Sequence, residues 1–397
     1  MNCPSKNCLL IGTLAFTAVG VVNLEAQLGP RNFFHAEAQA EATYDSAVFG
    51  NANSPDDTVF SVRPAISYER AYGIVHLVAK GGVQFNYFDE FEEENSQDIK
   101  SSIQVSFPNQ EDRRYYFDAR AGYNEFNEIN SKVSSRIHGE ETDAHALLVY
   151  YYSDRLSSEF IGGYQNTNIY DDNFIGNQTY EGATNLVYAY SERWDLLAGY
   201  RYRHTDIEDF SIMEFPDLVN DEELNNSDHA VYVGARGAWS EKLETQARIG
   251  WQQRNYDEQM RNGQAVTRKD NDSIFFEGEA RWQYREDILF NLTAIQDYNT
   301  TVDNRTNNET SVALQMRKTW DPKISTLSFV GYDIYRFSGS NDSDSDDSVF
   351  VVRQGFTYLL WDDANFYGEA SWMDRDSDLE ASNYTRYTLK LGFRQKF

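Results

Sequence analysis

The chain closes on the eleven residues from Tyr387 to Phe397, and these constrain its fold more than any other stretch. Tyr387, Leu389, Leu391, Phe393 and Phe397 hold odd-numbered positions, while Thr388, Lys390, Gly392, Arg394 and Lys396 hold even ones. In an extended strand this period of two makes one oily face and one cationic face. A soluble strand rarely finishes on a bare aromatic. The closing strand of an outer-membrane barrel does, with lipid against the oily face and water behind the other.

The opposite end carries a matching signal. Lys6 is the only charge before an apolar run from Cys8 to Val22, and Leu24-Glu-Ala26 offers a small residue for cleavage. Residues 1–26 therefore read as a secretory signal peptide and are set aside from the fold. An uncleaved anchor is the other reading, although the run is short for a span. Both cysteines, Cys3 and Cys8, lie in this segment, and Cys8 precedes the apolar run, where a lipoprotein cysteine would not be. The mature chain would then have no disulfide and no thiolate site. Residues 27–34 read as a short periplasmic segment and 35–397 as the barrel.

No later stretch reaches the roughly 18 apolar residues of a membrane helix. Mean hydropathy is low, at −0.65. A barrel reconciles this with a membrane, because only alternate residues in strands of about 10 need face lipid. The 27 Tyr, 25 Phe and only seven Pro suit strands. A formal charge of −28 argues against nucleic acid or other polyanions as partners.

Turn signals recur through the chain at Glu69-Arg70, Asn109 to Asp112, Ser153-Asp-Arg155, Ser191-Glu-Arg193, Ser240-Glu-Lys242, Arg285-Glu-Asp287, Asp321-Pro-Lys323 and Asp362-Asp363. Longer stretches rich in Asn, Asp and Ser lie between them, at Asp89 to Asp98, Asn127 to Glu140, Asp206 to Asp228, Tyr256 to Asp272 and Ser338 to Ser348. Each unit is strand, long loop, strand, short turn, which is the hairpin rhythm of an outer-membrane barrel with its long loops outside the cell. Eight short turns and nine long loops predict an all-β, antiparallel, up-and-down transmembrane barrel of 18 strands, with 16 as the fallback. The predicted strands are 35–46, 58–68, 72–88, 98–107, 113–126, 141–152, 156–168, 181–190, 194–206, 228–239, 243–256, 272–284, 288–301, 308–320, 324–337, 348–361, 364–375 and 384–397.

Tryptophan gives an independent check. Trp194, Trp239, Trp282, Trp320 and Trp361 all lie within three residues of a short turn, while Trp251 and Trp372 lie towards the long loops. Indole favours the membrane interface, so the first five, with Phe397, are expected in a periplasmic girdle.

Alternation then assigns the inner wall. Arg120, Arg201, Arg203, Arg236, Arg248, Arg281, Arg317, Arg353, Arg386, Lys390 and Arg394 are expected to face the lumen, with Asp118, Glu159, Glu244, Glu277, Glu279 and Glu369. One reading is a hydrated, arginine-rich pore for polar or anionic solutes. The other is that these charges pair across strands and hold a solvated interior together. The loop from Asp206 to Asp228 carries Phe210, Ile212, Met213, Phe215, Leu218 and Val219 in an acidic frame. Phe210, Met213 and Phe215 are the candidates for an inward constriction, and an external cap is the alternative.

Chemistry-bearing motifs are sparse. Asp342, Asp344 and Asp346 alternate as in a calcium loop, but the Gly and late Glu of that motif are missing, so no metal is expected. Asp89 to Asn95 reads as a solvated acidic loop, and both acidic runs suit weak divalent-ion bridging to lipopolysaccharide or surface glycans. His204 lies near Asp206 and Glu208, and His229 follows Asp228, all near a long-loop rim, where a carboxylate–histidine pair activates water in rim-sited hydrolases. No nucleophile elbow, zinc helix motif or phosphate-binding glycine loop is present. The expectation is a non-enzyme without cofactor.

Ala42-Thr-Tyr-Asp-Ser-Ala-Val-Phe49, Val62-Arg-Pro64 and Ala79-Lys-Gly-Gly82 resemble the beta-barrel porin family of bacterial outer-membrane proteins, although Ser46-Ala47 replaces an Asp-Asn pair. The Tyr-rich hairpins extend the resemblance through most of the chain. It implies an outer-membrane barrel, names no catalytic residue, and links some members to exopolysaccharide export. Roughly 20 residues per strand with its connection leave no length for a plug, which disfavours an active transporter. The expected function is a passive outer-membrane channel for small polar or anionic solutes. An exopolysaccharide export barrel and a closed structural surface barrel are the alternatives. Expected partners are outer-membrane lipid and lipopolysaccharide, the barrel-assembly machinery at the C-terminal strand, and the solute or polysaccharide.

Overall fold

The computed structural model describes residues 31–107, 114–130, 134–171, 174–207, 225–257, 259–261, 264–266, 269–300, 306–338, 345–378 and 382–397. The signal-peptide assignment lies outside them. The first half of the chain forms β1 (Arg31–Asp45), β2 (Asp57–Tyr72), β3 (Val75–Phe88), β4 (Ser96–Phe107), β5 (Tyr115–Asn130), β6 (Ser135–Ser153), β7 (Leu156–Ile169), β8 (Asn177–Ser191) and β9 (Trp194–Ile207). The second half forms β10 (Asn226–Ser240), β11 (Leu243–Tyr256), β12 (Gln259–Arg261), β13 (Gln264–Val266), β14 (Asn271–Arg285), β15 (Ile288–Thr300), β16 (Thr306–Asp321), β17 (Ile324–Ser338), β18 (Ser345–Trp361), β19 (Ala364–Ser377) and β20 (Tyr384–Lys396).

Eighteen of these strands form one antiparallel sheet, and β12 and β13 make a separate hairpin inside the connection from β11 to β14. Each strand pairs with its neighbours in sequence, and β1 pairs with both β2 and β20. The sheet is therefore closed, and closure removes every free edge. Along the seam, Arg386 bonds Asp45 through two nitrogens at 2.8 and 2.6 Å, Lys390 reaches Glu41 at 3.7 Å, and Arg394 reaches Glu37 at 3.3 Å.

The strand count and most strand limits agree with the pattern reading. Three differences have local causes. The strand expected from 35 begins at Arg31, so residues 31–34 belong to β1 and pair with β2. The turn expected at Glu69-Arg70 lies inside β2, and the chain reverses instead at Gly73, whose φ of 61° falls where glycine is favoured. The stretch expected as a plain loop from Tyr256 holds the β12–β13 hairpin.

The tight turns share a chemical device. In Ser153-Asp-Arg155, Ser191-Glu-Arg193, Ser240-Glu-Lys242 and Asp321-Pro-Lys323, the first side chain accepts the backbone N–H two residues on, at 2.7–3.3 Å. Such Asx- and Ser-turns stabilise a reversal locally. A register shift precedes each of the four, which sharpens the twist there.

The outer surface is an apolar belt. Ile66, Leu186, Val231, Val233, Ile249, Ile274 and Leu389 are each more than half exposed. Trp239, Trp282, Trp320, Trp361 and Phe397 stand exposed at the short-turn rim, and Trp194 stacks edge-on against Trp239 at 4.8 Å. No helix among the described residues is long and apolar enough to cross a membrane.

Candidate pore and mouth

Ladder partners point to the same side of a sheet, so the registers fix the inner wall. All seventeen wall candidates lie on strands with inward parity. Ile249 and Trp251 flank Gly250 outside, for example, while Arg248, Gln252 and Arg254 look in with buried side chains.

Many of the inward charges are paired. Arg236 bonds Glu159 at 2.6 Å and Asp195 at 3.0 Å. Arg248 meets Glu277 at 3.2 Å, and Asp118 accepts bonds from Gln104 and Ser106. Arg120 sits beside the Asp118 row on β5, half-buried. Three arginines differ. Arg281, Arg317 and Arg353, on alternate strands β14, β16 and β18, have no ion-pair partner within 4 Å among the described residues. Arg281 and Arg317 are exposed, and Arg353 lies over the Phe329 ring at 4.9 Å. Arg281 and Arg353 share one ladder row through Asn291, Gln315 and Phe329. Glu244 is the cross-strand neighbour of Arg281, Glu279 stands two residues before it, and Glu369 faces in from β19.

The mouth at the long-connection end is narrowed by two inward-folded segments. The first is the β1–β2 connection, residues 46–56. Ala47 and Val48 are 3% and 0% exposed, and Arg136 donates from Nε to the Val48 carbonyl at 2.9 Å. Arg136 precedes Ile137 on β6, five strands from β1, or about 24 Å along the wall at the usual strand spacing. The gap is closed from both sides, because the β5–β6 hairpin has itself left its ladders above Asn124 and Gly139 and meets the connection through Ile129 and Arg136. Inward-facing Phe88, Phe126 and Ile137 at this end are all at most 6% exposed, Arg136 lies over the Phe88 ring at 4.9 Å, and Phe49 packs edge-on against Phe91. Gly50 makes the approach possible. A Cβ there would lie 2.3 Å from Ile129 Cγ2, and its φ is 70°. Beyond this cap Ser134 donates to the carbonyl of Ser382 in the β19–β20 connection.

The second segment is the tip of the β15–β16 hairpin. The β14–β15 ladder stops at Phe276 and Gln296, although β11 pairs with β14 as far as Asn271 and β15 pairs with β16 as far as Thr300. Above Gln296 the hairpin has left the wall. Asn308, on the face that otherwise looks to lipid, donates to Ser273 on the inner face of β14 at 2.8 Å. Tyr298, on that same face, is 4% exposed and lies under the Arg254 guanidinium at 5.1 Å. Asp297 crosses to β9 and meets Arg201 at 2.6 Å and Arg203 at 3.4 Å. β9 and β15 are four strands apart, about 19 Å along the wall.

Behind the tip sits a buried charge cluster. Asp228, 1% exposed, accepts from Arg203 Nε and Nη2 and from Arg254 Nε and Nη2, at 2.6–2.9 Å. Arg203 also donates to the Tyr298 carbonyl, and Arg254 to the Asn299 carbonyl. Sequence reading placed Arg201 and Arg203 on this wall but overlooked Arg254, Asp228 and Asp297. Arg254 follows the β11 alternation and was findable. The role of Asp297 was not, because it depends on a contact 96 residues away. The constriction expected from Phe210, Met213 and Phe215 lies outside the described residues.

The histidines divide by face. Asp228 looks in and His229 out, so that adjacent pair is split, and His229 bonds the Tyr200 hydroxyl at 2.7 Å. His204 lies between Asp206 and Ser227, each at 2.9 Å, on the outer face. Glu208 falls outside the described residues, as do Asp342 and Asp344. Among the described residues no three His, Cys, Asp or Glu cluster as for a metal.

No protein-family model and no curated protein matches the sequence. Solved structures match the fold. OpdK of Pseudomonas aeruginosa, determined with vanillate, is 10% identical over 92% of this chain and 99% of that one, with a TM-score of 0.50. An improved structure described as OccK1 (OpdK) of the same organism gives the same values. At this identity the likeness is one of fold. With its closed sheet, lipid-facing belt and aromatic rim, the chain is an 18-stranded β-barrel of the kind found in outer-membrane porins.

Proposed function

We propose that the barrel is a passive outer-membrane channel for small polar or anionic solutes. The observation that carries this is the unpaired basic strip of Arg281, Arg317 and Arg353 on the inner wall below the mouth. Paired charges such as Arg236 with Glu159 hold the wall together and present little field to a solute. Unpaired guanidiniums in a confined lumen attract anions, because low-dielectric walls focus their field. OpdK, which shares the fold, was determined with the carboxylate vanillate. Residues 1–26 are assigned as a removed export signal. Lipopolysaccharide and the barrel-assembly machinery, through β20, are assigned as partners.

The test is liposome swelling with gluconate, glucose and arginine, three solutes of similar size. The reading predicts the order gluconate, glucose, arginine, with the difference reduced in an R281Q/R317Q/R353Q variant. Equal rates, or fastest entry of arginine, would overturn it.

The reading includes no catalytic step. Ser227, His204 and Asp206 are hydrogen-bonded in series but lie on the outer face of β9 and β10, away from the lumen. A secreted polysaccharide is the second reading. It draws on the inward aromatics Tyr335, Phe337 and Tyr384 near Asp347 and Arg375, a combination that suits sugar rings.

A further inference from the structure

We propose that Arg201 and Arg203 form a binding site for small carboxylates, aromatic ones above all, which Asp297 of the β15–β16 tip fills in the absence of solute. The inference rests on the channel reading and gives it a substrate class and a gate.

Three observations converge. First, Asp297 sits where a ligand carboxylate would. Its two oxygens are divided between the guanidiniums of adjacent inward positions on one strand, Oδ1 to Arg201 at 2.6 Å and Oδ2 to Arg203 at 3.4 Å. Second, the two arginines depend on it unequally. Arg203 keeps Asp228 as a second counterion, whereas Arg201 has Asp297 as its one ion-pair partner within 4 Å among the described residues. Glu181 contributes electrostatically, as the cross-strand neighbour of Arg203. The Arg201 side chain is 6% exposed. A buried guanidinium stripped of its partner is strongly unfavourable, so the tip cannot leave unless another anion takes its place. Third, the tip is a detachable element. It has left the β14 ladder above Gln296 and is held by side-chain contacts alone, through Asp297, buried Tyr298 under Arg254, Thr300, two backbone carbonyls, and Gln296 and Asn308 on Ser273, with no strand pairing to β14.

The surroundings indicate which carboxylate. Arg201 lies over the Phe275 ring at 4.8 Å, and Phe275 packs with Tyr232, Val187 and Leu197 on the inner wall. An aromatic acid can place its carboxylate on the arginines and its ring towards this cluster, a division of labour common in small-molecule sites. A neutral isostere gains only the second contact. The exchange forms and breaks no covalent bond. One carboxylate replaces another, and the tip returns towards the β14 edge.

The experiment compares wild type, D297N and R201Q barrels in planar bilayers with sodium benzoate, and with benzamide as the neutral control. Heat-modifiable migration verifies that each is folded. Wild type should occupy a low conductance level and move to a higher one as benzoate rises, with no response to benzamide. D297N should show the higher level without ligand and bind benzoate at least tenfold more tightly by titration, because the internal competitor has lost its charge. R201Q should lose the benzoate response. Conductance and benzoate affinity that are equal in wild type and D297N would overturn the latch while leaving the channel intact. Folded barrels that never conduct, in any of the three forms, would overturn the channel reading and the latch with it.

Discussion

Removing the Asp228 carboxylate should destabilise the barrel more than any other single change at the mouth. Asp228 is 1% exposed and receives four hydrogen bonds from two arginines. The side chains of Arg203 and Arg254 are themselves 8% and 1% exposed. Asp228→Ala therefore leaves two guanidiniums desolvated around a single lost anion. Breaking one buried pair costs roughly 3–5 kcal/mol. The four bonds do not add, since they share one acceptor group, and Asp297 still offers partial compensation to Arg203. An estimate in the middle of that range, about 4 kcal/mol, is a shift near a thousandfold in the folding equilibrium. D228N keeps the shape and one acceptor but not the charge, and should fall about halfway. The assay is urea unfolding of the protein folded into lipid vesicles, followed by tryptophan emission. A loss below about 1 kcal/mol in both variants would refute the reasoning, because it would mean that water reaches these arginines and the mouth is not packed as described.

Other expectations follow from the same geometry. Ile249→Arg, on the lipid face in the middle of β11, should cost about 2–4 kcal/mol, whereas Thr293→Arg on the inner face of β15 should cost much less in the same urea titration. Val48→Asp should put a charge at a side chain that is fully buried in the β1–β2 connection. It should remove about 1.5–3 kcal/mol of burial and raise single-channel conductance, and an unchanged conductance would show that residues 46–56 do not narrow the path. Ser227→Ala and His204→Ala should leave conductance unchanged, and the wild type should not hydrolyse nitrophenyl esters. Hydrolysis lost on either substitution would contradict the non-enzymatic reading.

The barrel wall was legible because its signals are local. Alternation in a stretch such as Leu243 to Tyr256 fixes both the strand and its two faces, and the Ser-Glu-Arg and Ser-Glu-Lys turns mark where it reverses. The pairing of His229 with Asp228 shows the same rule neglected, since neighbours on a strand cannot share a face. The mouth was legible only in part. Asp297 obeys the alternation of β15 like any wall residue, and nothing near it announces that the hairpin leaves the ladder. That departure goes with Arg201 and Arg203, which take Asp297 from across the lumen, and with Arg254, which takes the Asn299 carbonyl, all on strands distant in sequence. Val48 gives a similar lesson. Its apolar side chain in a polar connection looks incidental until Gly50 is seen to let the chain press against Ile129.

The most direct test of the channel account is the reversal potential of the signal-free, refolded barrel in a planar bilayer under a tenfold potassium chloride gradient. The account predicts stable ion-conducting steps with a reversal potential of the sign set by chloride, reduced towards zero in the R281Q/R317Q/R353Q variant. Conductance with a potential set by potassium and untouched by that triple substitution would contradict it, and place control of the path in the acidic loops instead.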